Sequence, residues 1–213
     1  MAKRGFFLTV EGIDGAGKST QAQRLAERLR ALGHSVIETR EPGGAPGAEE
    51  IRKLLVEGAP GRWSAETETL LFTAARRDHV ERTVEPALAA GSIVICDRYV
   101  DSTRAYQGAG AVELRQVVDR LHALAIRLDP DLTLIFDLDA GAGLSRTDAR
   151  ANGAAENRFE QKGAAFQARL RQEFLAIAEA EPERCVVIDA AAAPDAVADK
   201  VWEAVAPRLG LTP

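Results

Sequence analysis

Gly12-Ile13-Asp14-Gly15-Ala16-Gly17-Lys18-Ser19 is the stretch whose reading decides the fold, and it fits the pattern G-x-x-x-x-G-K-[ST]. Immediately before it, Phe6-Phe7-Leu8-Thr9-Val10 is short, apolar and rich in strand formers. After it, Lys18 to Leu32 places Leu25, Leu29 and Leu32 on one helical face. In a strand–loop–helix setting the glycines let backbone N–H groups turn onto phosphate oxygens. Lys18 adds a positive charge, Ser19 offers a hydroxyl to Mg²⁺, and the helix N-terminus favours an anion. The bland alternative is a glycine turn that caps a helix. The flanking strand and helix favour a nucleoside triphosphate site, with Gly12 to Ser19 and the adjoining Thr20 around the phosphates.

Working outward, Gly33 is a natural end for the first helix, and Ser35 to Glu38 reads as a second strand. A turn-rich loop follows, Thr39-Arg40-Glu41-Pro42-Gly43-Gly44, then a short helix from Ala48 to Glu57. Ala65 to Ala90 reads as one long helix that Pro86 kinks or shortens. Ser92 to Cys96 is an unbroken apolar run of the buried, parallel-sheet kind. Beyond it come a loop or short helix from Asp101 to Gly110, an amphipathic helix from Leu114 to Leu128 and a fourth strand from Leu132 to Phe136. Helices are expected at Gly143 to Ala149, Phe159 to Glu181 and Pro194 to Leu209, with a fifth strand at Cys185 to Ile188. Strands alternating with helices imply an α/β fold: three layers, about five parallel strands, helices on both faces. No repeat or linker divides the chain, so one domain over residues 1–213 is expected, with the polar segment at about 146–158 as a small lid.

The composition suits this. Hydrophobic residues make up 46% of 213, charged residues 28% and aromatic residues 5%, with a net charge of −5. That charge does not suit a surface that coats nucleic acid, so phosphate binding must come from local basic clusters. No apolar run reaches membrane-spanning length, and the one after Lys3 and Arg4 stops at Glu11, too short for a signal segment. Cys96 and Cys185 lie in or beside apolar runs, and no metal-type Cys/His spacing is present. A cytoplasmic enzyme that binds neither nucleic acid nor membrane is the expectation.

In open parallel sheets ligands gather at the carboxyl ends of the strands. Glu11, Asp14 and Lys18 follow the first strand, Arg40 and Glu41 the second, Asp97 and Arg98 the third. Such repetition at one rim reads as a site. Phosphoryl transfer needs neutralised charge, in-line positioning and excluded water more than covalent chemistry. Arg98 stands where it can meet a second phosphate, and Asp97 can hold Mg²⁺; the pair can also be read as a structural ion pair. Phe72 and Arg76 share a helix face. On spacing alone they are a core phenyl and a solvated cation, or a stacking platform and a donor for a base. Arg146, Arg150 and Arg158 bracket the lid, where a solvated loop and a closing cation are both possible readings. His34, His79 and His122 lack the partners of catalytic histidines, and Trp63 and Trp202 read as packing residues.

At this point the chain resembles the thymidylate kinases, and it does so across nearly its whole length. The matching pieces run Val10 to Thr20, Thr39 to Gly44, Leu71 to Arg76, Asp97-Arg98-Tyr99, Asp101 to Gly108, Pro130 to Thr133 and Arg158-Phe159-Glu160. The Arg-Glu-Pro-Gly-Gly and Ala-Tyr-Gln-Gly pieces together are more specific than the phosphate loop. The resemblance implies transfer of the γ-phosphoryl group of ATP to dTMP with Mg²⁺, giving dTDP and ADP, by a homodimer packed through long helices. It implies that Phe72 stacks on thymine and Arg76 donates to a thymine carbonyl. Arg98 would grip the acceptor phosphate, with Glu41 and Pro42 beside the dTMP site. Ser102 and Gln107 would lie over the base, and Tyr106 near the deoxyribose. Asp97, Asp14 and Ser19 would place metal and phosphates. Some members carry an arginine inside the phosphate loop, where this chain has Ala16; the resemblance therefore points to Arg150 for the lid cation, with Arg146 on ATP. The competing readings are another nucleoside monophosphate kinase and a nucleotide-dependent regulatory ATPase; the latter lacks any use for an acceptor arginine or a base platform.

Overall fold

All six residues of β1 (Phe7–Gly12) are buried. The computed structural model describes residues 4–59, 61–108, 112–150 and 163–212. From β1 the chain passes through the glycine loop into α1 (Lys18–Ala31), then β2 (Val36–Arg40) and α2 (Pro46–Val56). Next come α3 (Ala65–His79), the short α4 (Glu85–Ala89) and β3 (Ile93–Asp97). The remainder is α5 (Val100–Gly108), α6 (Val112–Leu121), β4 (Leu132–Asp137), α7 (Ala140–Arg150), α8 (Gly163–Ala180), β5 (Cys185–Asp189) and α9 (Pro194–Leu209).

The strands form one five-stranded sheet in the order β2-β3-β1-β4-β5, parallel at every pairing. Strand alternation sorts its side chains onto two faces. Leu8, Val10, Ile93 and Ile95 join the core formed with α1, α8 and α9, through residues such as Leu25, Leu29, Phe174 and Trp202. Phe7, Val94 and Cys96 turn the other way, onto Val80, Val84, Leu88, Tyr99, Val118 and Ile126. Covered on both faces, the sheet can present ligands only at its rims, and β1 and β3, in register from Phe7 opposite Val94 to Val10 opposite Asp97, carry the loops of interest at one end.

Two long helices differ from the sequence expectation for the same reason. The run from Ala65 to Ala90 is not one α-helix: Val80–Val84 is wound as a π-helix, and Glu85 N–H reaches back to Val80 C=O. Pro86 has no N–H to give, and the wider turn accommodates that gap before α4. After α6, His122–Ile126 is again π-helical, closed by Arg127 N–H to His122 C=O at 3.0 Å with Arg127 at φ 59°. α7 begins at Ala140, earlier than expected, because Asp139 caps it through Gly141 N–H at 2.9 Å. Among the described residues no helix is long and apolar enough to cross a membrane.

Candidate active site

The glycine loop turns on left-handed backbone at Gly15, φ 78°. A Cβ there would collide with the carbonyl oxygen of Gly143 on α7, and one on Gly143 would come within 2.7 Å of the Asp14 carbonyl oxygen. Two glycines thus seat the helix that leads into the expected lid directly on the phosphate loop. At the loop's end the Lys18 ammonium lies over its carbonyls, 2.8 Å from Ile13 O and 3.1 Å from Gly12 O. Burial, together with the charge of Arg98, brings that ammonium down to about 8, against the pull of Asp14, Asp97 and Glu11. Ser19 and Thr20 stand exposed at the start of α1, and Ile13 and Ala16 are buried beneath the loop.

Arg98 follows β3 with φ 69°, a conformation that aims its side chain across to β1. Its Nη1 donates to Gly12 O at 3.1 Å and Ser102 Oγ at 2.9 Å, and its Nη2 to Asp14 Oδ1 at 2.5 Å. Burial opposes the Arg98 charge, yet Tyr106, Asp14, Asp97 and Glu11 keep it firmly protonated. Tyr106 adds its hydroxyl to Asp14 Oδ2 at 3.3 Å, and the Arg98 guanidinium sits 5.3 Å above its ring. Burial alone would raise the Asp14 carboxyl; Arg98 and Lys18 outweigh it and hold it below its ordinary value. Beneath Arg98, Glu11 accepts from Tyr99 N–H at 2.7 Å, Ser102 N–H at 3.2 Å and Ser102 Oγ–H at 2.6 Å. Burial, with Asp101 nearby, raises Glu11 to about 7, although Arg98 and the Ser102 and Tyr99 hydrogen bonds act the other way.

Ser19 Oγ donates to Asp97 Oδ2 at 2.6 Å. A hydroxyl and a carboxylate oxygen beside a phosphate loop are hard donors of the kind Mg²⁺ takes, and Mg²⁺ commonly leaves the rest of its shell to water and phosphate. The residues present therefore fit that ion. No cluster of three or more His, Cys, Asp or Glu residues forms a metal cage among the described residues. Asp14 presents a different geometry, its two oxygens facing Arg98 and Tyr106.

A cleft of about 290 Å³ opens from this rim toward α2 and α3. Asp14, Ser19, Asp97 and Arg98 line it together with Pro42, Phe72, Arg76, Ser102 and Tyr106. Of the residues expected here, Gln107 is absent from the lining: it is buried, and its amide donates to Glu68 Oε2 at 3.0 Å. Arg52 and Thr103 line the cleft without having been singled out, and Arg40, read from the sequence as part of the rim, lines it too. Arg52 had a legible signal, since it lies on the helix that directly follows the Arg-Glu-Pro-Gly-Gly loop. Arg146 donates to Ala190 O at 3.2 Å. Arg150 closes α7, and Arg158 lies outside the described residues.

Residues 10–201 match the thymidylate kinase family model. The chain belongs to the thymidylate kinase family. It is 59% identical to a thymidylate kinase of Ruegeria pomeroyi over the full length of both chains. It is 57% identical to one of Caulobacter vibrioides, with 98% of this chain and 99% of that one aligned. Its fold superposes on the crystal structure of a thymidylate kinase from Ehrlichia chaffeensis with a TM-score of 0.74 and 37% identity, over 95% and 99% of the two chains. As a member of the thymidylate kinase family the chain is an enzyme, and the activity that goes with the family is ATP-dependent phosphorylation of dTMP to dTDP. That favours this reading over both the regulatory ATPase and the kinases of other monophosphates.

Proposed function

We propose that the chain carries out this transfer with its donor over the glycine loop and its acceptor in the adjoining cleft. The observation that supports this most directly is the position of Arg98. One guanidinium touches the phosphate loop at Gly12 O and Asp14, and it also borders the cleft that holds Phe72 and Arg76. An anion held there lies between the two sites.

On this reading the loop N–H groups, Lys18 and the start of α1 bind the ATP phosphates, and Arg146 lies on the nucleotide side. The 5′-phosphate of dTMP is gripped by Arg98, with Arg52 and Arg40 adding charge nearby. An oxygen of that phosphate attacks the γ-phosphorus while the bond to the β–γ bridging oxygen breaks, its electron pair leaving on ADP. Phe72 stacks on the base, Arg76 donates to it, Ser102 lies over the base and Tyr106 borders the sugar. Asp97 and Ser19 would hold Mg²⁺, which neutralises phosphate charge when bound; Asp14 keeps Arg98 in place. Arg150, at the end of a helix seated on the phosphate loop, is the candidate for the cation that reaches the transferring group.

We also assign a homodimer and a cytoplasmic location. Leu70 on α3, Val117 on α6 and Leu124 in the following π-helical stretch are large exposed apolar side chains on neighbouring elements, and they support a subunit contact there. Two free, buried cysteines suit a reducing compartment. The test of the whole reading is a panel of nucleoside monophosphates assayed with ATP and Mg²⁺. dTMP is expected to be the best acceptor by kcat/KM, and a preference for AMP, CMP or GMP would overturn the assignment of the cleft.

A further inference from the structure

Arg76 is a cation of the cleft lining, and its orientation is settled behind it. Nε donates to Glu41 Oε2 at 2.7 Å and Nη2 to Thr103 Oγ1 at 2.9 Å, while the guanidinium lies 5.0 Å over the ring of Tyr99. Nη1 makes no hydrogen bond to the described residues, and Arg76 lines the cleft. That nitrogen is the donor left for a ligand.

Glu41 also borders the cleft, but both its oxygens are engaged inward. Oε1 accepts from His79 Nδ1 at 2.9 Å, and His79 Nε2 meets Thr39 Oγ1 at 2.7 Å. His79 is fully buried at 0% exposure, one helical turn beyond Arg76 on α3. With Nδ1–H donating to the carboxylate, Nε2 is left to accept the threonine hydroxyl, so one tautomer satisfies both contacts. The Arg-Glu-Pro-Gly-Gly loop is moulded on this chain of groups. Gly44, at φ 81°, has no room for a Cβ, which would collide with Thr39 Oγ1 and come within 2.6 Å of His79 Nε2. Thr83 Oγ1 holds the same glycine's carbonyl at 2.7 Å, and Glu49 Oε1 holds its N–H at 2.9 Å.

We propose that His79, which has no place in the cleft lining, is a positioning residue for acceptor-base recognition: the Thr39–His79–Glu41–Arg76 chain fixes which edge of the Arg76 guanidinium faces the base. A carboxylate with only Arg76 to bind can swing with it. One pinned from behind by an imidazole, itself pinned by a hydroxyl, cannot. Buried, fully partnered polar networks confer this kind of geometric definition. The inference rests on the reading that Arg76 meets the base, so its test carries Arg76 in parallel.

The test measures steady-state kinetics of His79→Leu, His79→Asn, Thr39→Val and Arg76→Ala with dTMP and with dCMP, which carries an amino group where thymine has its 4-carbonyl. His79→Leu is expected to raise KM for dTMP about tenfold, the scale of one lost hydrogen bond to a charged group, and to lower the dTMP-to-dCMP ratio of kcat/KM. kcat and KM for ATP stay within about twofold, since the phosphate loop is untouched. His79→Asn, whose Nδ2 occupies the place of Nδ1, recovers part of the loss, and Thr39→Val shows a smaller shift of the same sign. If His79→Leu fails to fold, Thr39→Val and His79→Asn carry the decision. Unchanged KM and unchanged base preference in folded His79 and Thr39 variants, while Arg76→Ala loses both, overturn the positioning role alone. If Arg76→Ala itself leaves dTMP affinity and preference intact, the base reading of the cleft falls first, and this proposal with it.

Discussion

Glu11→Gln isolates what it costs to bury an acid directly under Arg98. The carboxyl has an ordinary value of 4.5 and stands at about 7 in the folded protein, where burial and Asp101 raise it against the pull of Arg98. Between those two values the folded chain keeps a proton that the unfolded chain has released. The unfolding free energy therefore falls as pH rises, by about 1.36 kcal/mol for each pH unit. Stability from this group is fully present below pH 4.5 and lost by the time pH has passed 7, a window worth about 3 kcal/mol. Glutamine has no proton to release and can keep the local bonds. Its Oε1 can accept from the N–H groups of Tyr99 and Ser102, and its amide can donate to Ser102 Oγ, the three contacts Glu11 now makes at 2.7, 3.2 and 2.6 Å. Urea unfolding, followed by circular dichroism at half-unit steps from pH 4.5 to pH 8, reads the effect. The variant should gain on the wild type by about 3 kcal/mol across that range. A difference between the two proteins that stays constant to within about 1 kcal/mol would refute the reasoning, because it would mean that the Glu11 carboxyl titrates alike in both states.

Lys18→Ala should lower kcat at least about a hundredfold, the scale of one lost electrostatic contact to a transferring group, with circular dichroism unchanged; near-normal turnover removes it from the phosphates. Phe72→Ala should weaken dTMP binding by about 1–3 kcal/mol, as loss of a stacked ring does, and calorimetric titration with unchanged affinity would return the ring to a packing role. Arg150→Ala should depress kcat more than it raises KM for dTMP; an effect confined to KM would mark a ground-state contact instead.

Much of the fold was legible because its signals are local. The glycine pattern fixed the first turn of the sheet, and Pro194 at the first helical position located α9 from Pro194 to Leu209 as observed. The π-helical stretches were not legible. An apolar stripe drifts so little across one widened turn that Val80 and Val84 still face the core, and only Pro86 hinted at a break. In the site, charged residues at strand ends identified the rim, and the structure brings Asp14, Ser19, Asp97 and Arg98 together there. His79 was passed over because its partners, Thr39 and Glu41, lie 40 and 38 positions away on another strand and loop. The spacing of three between Arg76 and His79 was the available clue, and it needed the Gly43-Gly44 turn beside it to carry meaning. Gln107 shows the converse, a residue placed by resemblance whose amide is engaged by Glu68.

The meeting of Gly15 with Gly143 constrains how this protein can change over time. Each glycine is excluded from growing by main chain, the Gly143 carbonyl in one case and the Asp14 carbonyl in the other. A clash with a side chain can be relieved by trimming that side chain; a clash with a carbonyl has no such partner mutation. Neither position can therefore be rescued by the other. A substitution that moved the root of α7 would press directly on the glycine loop, since main chain meets main chain where the two touch.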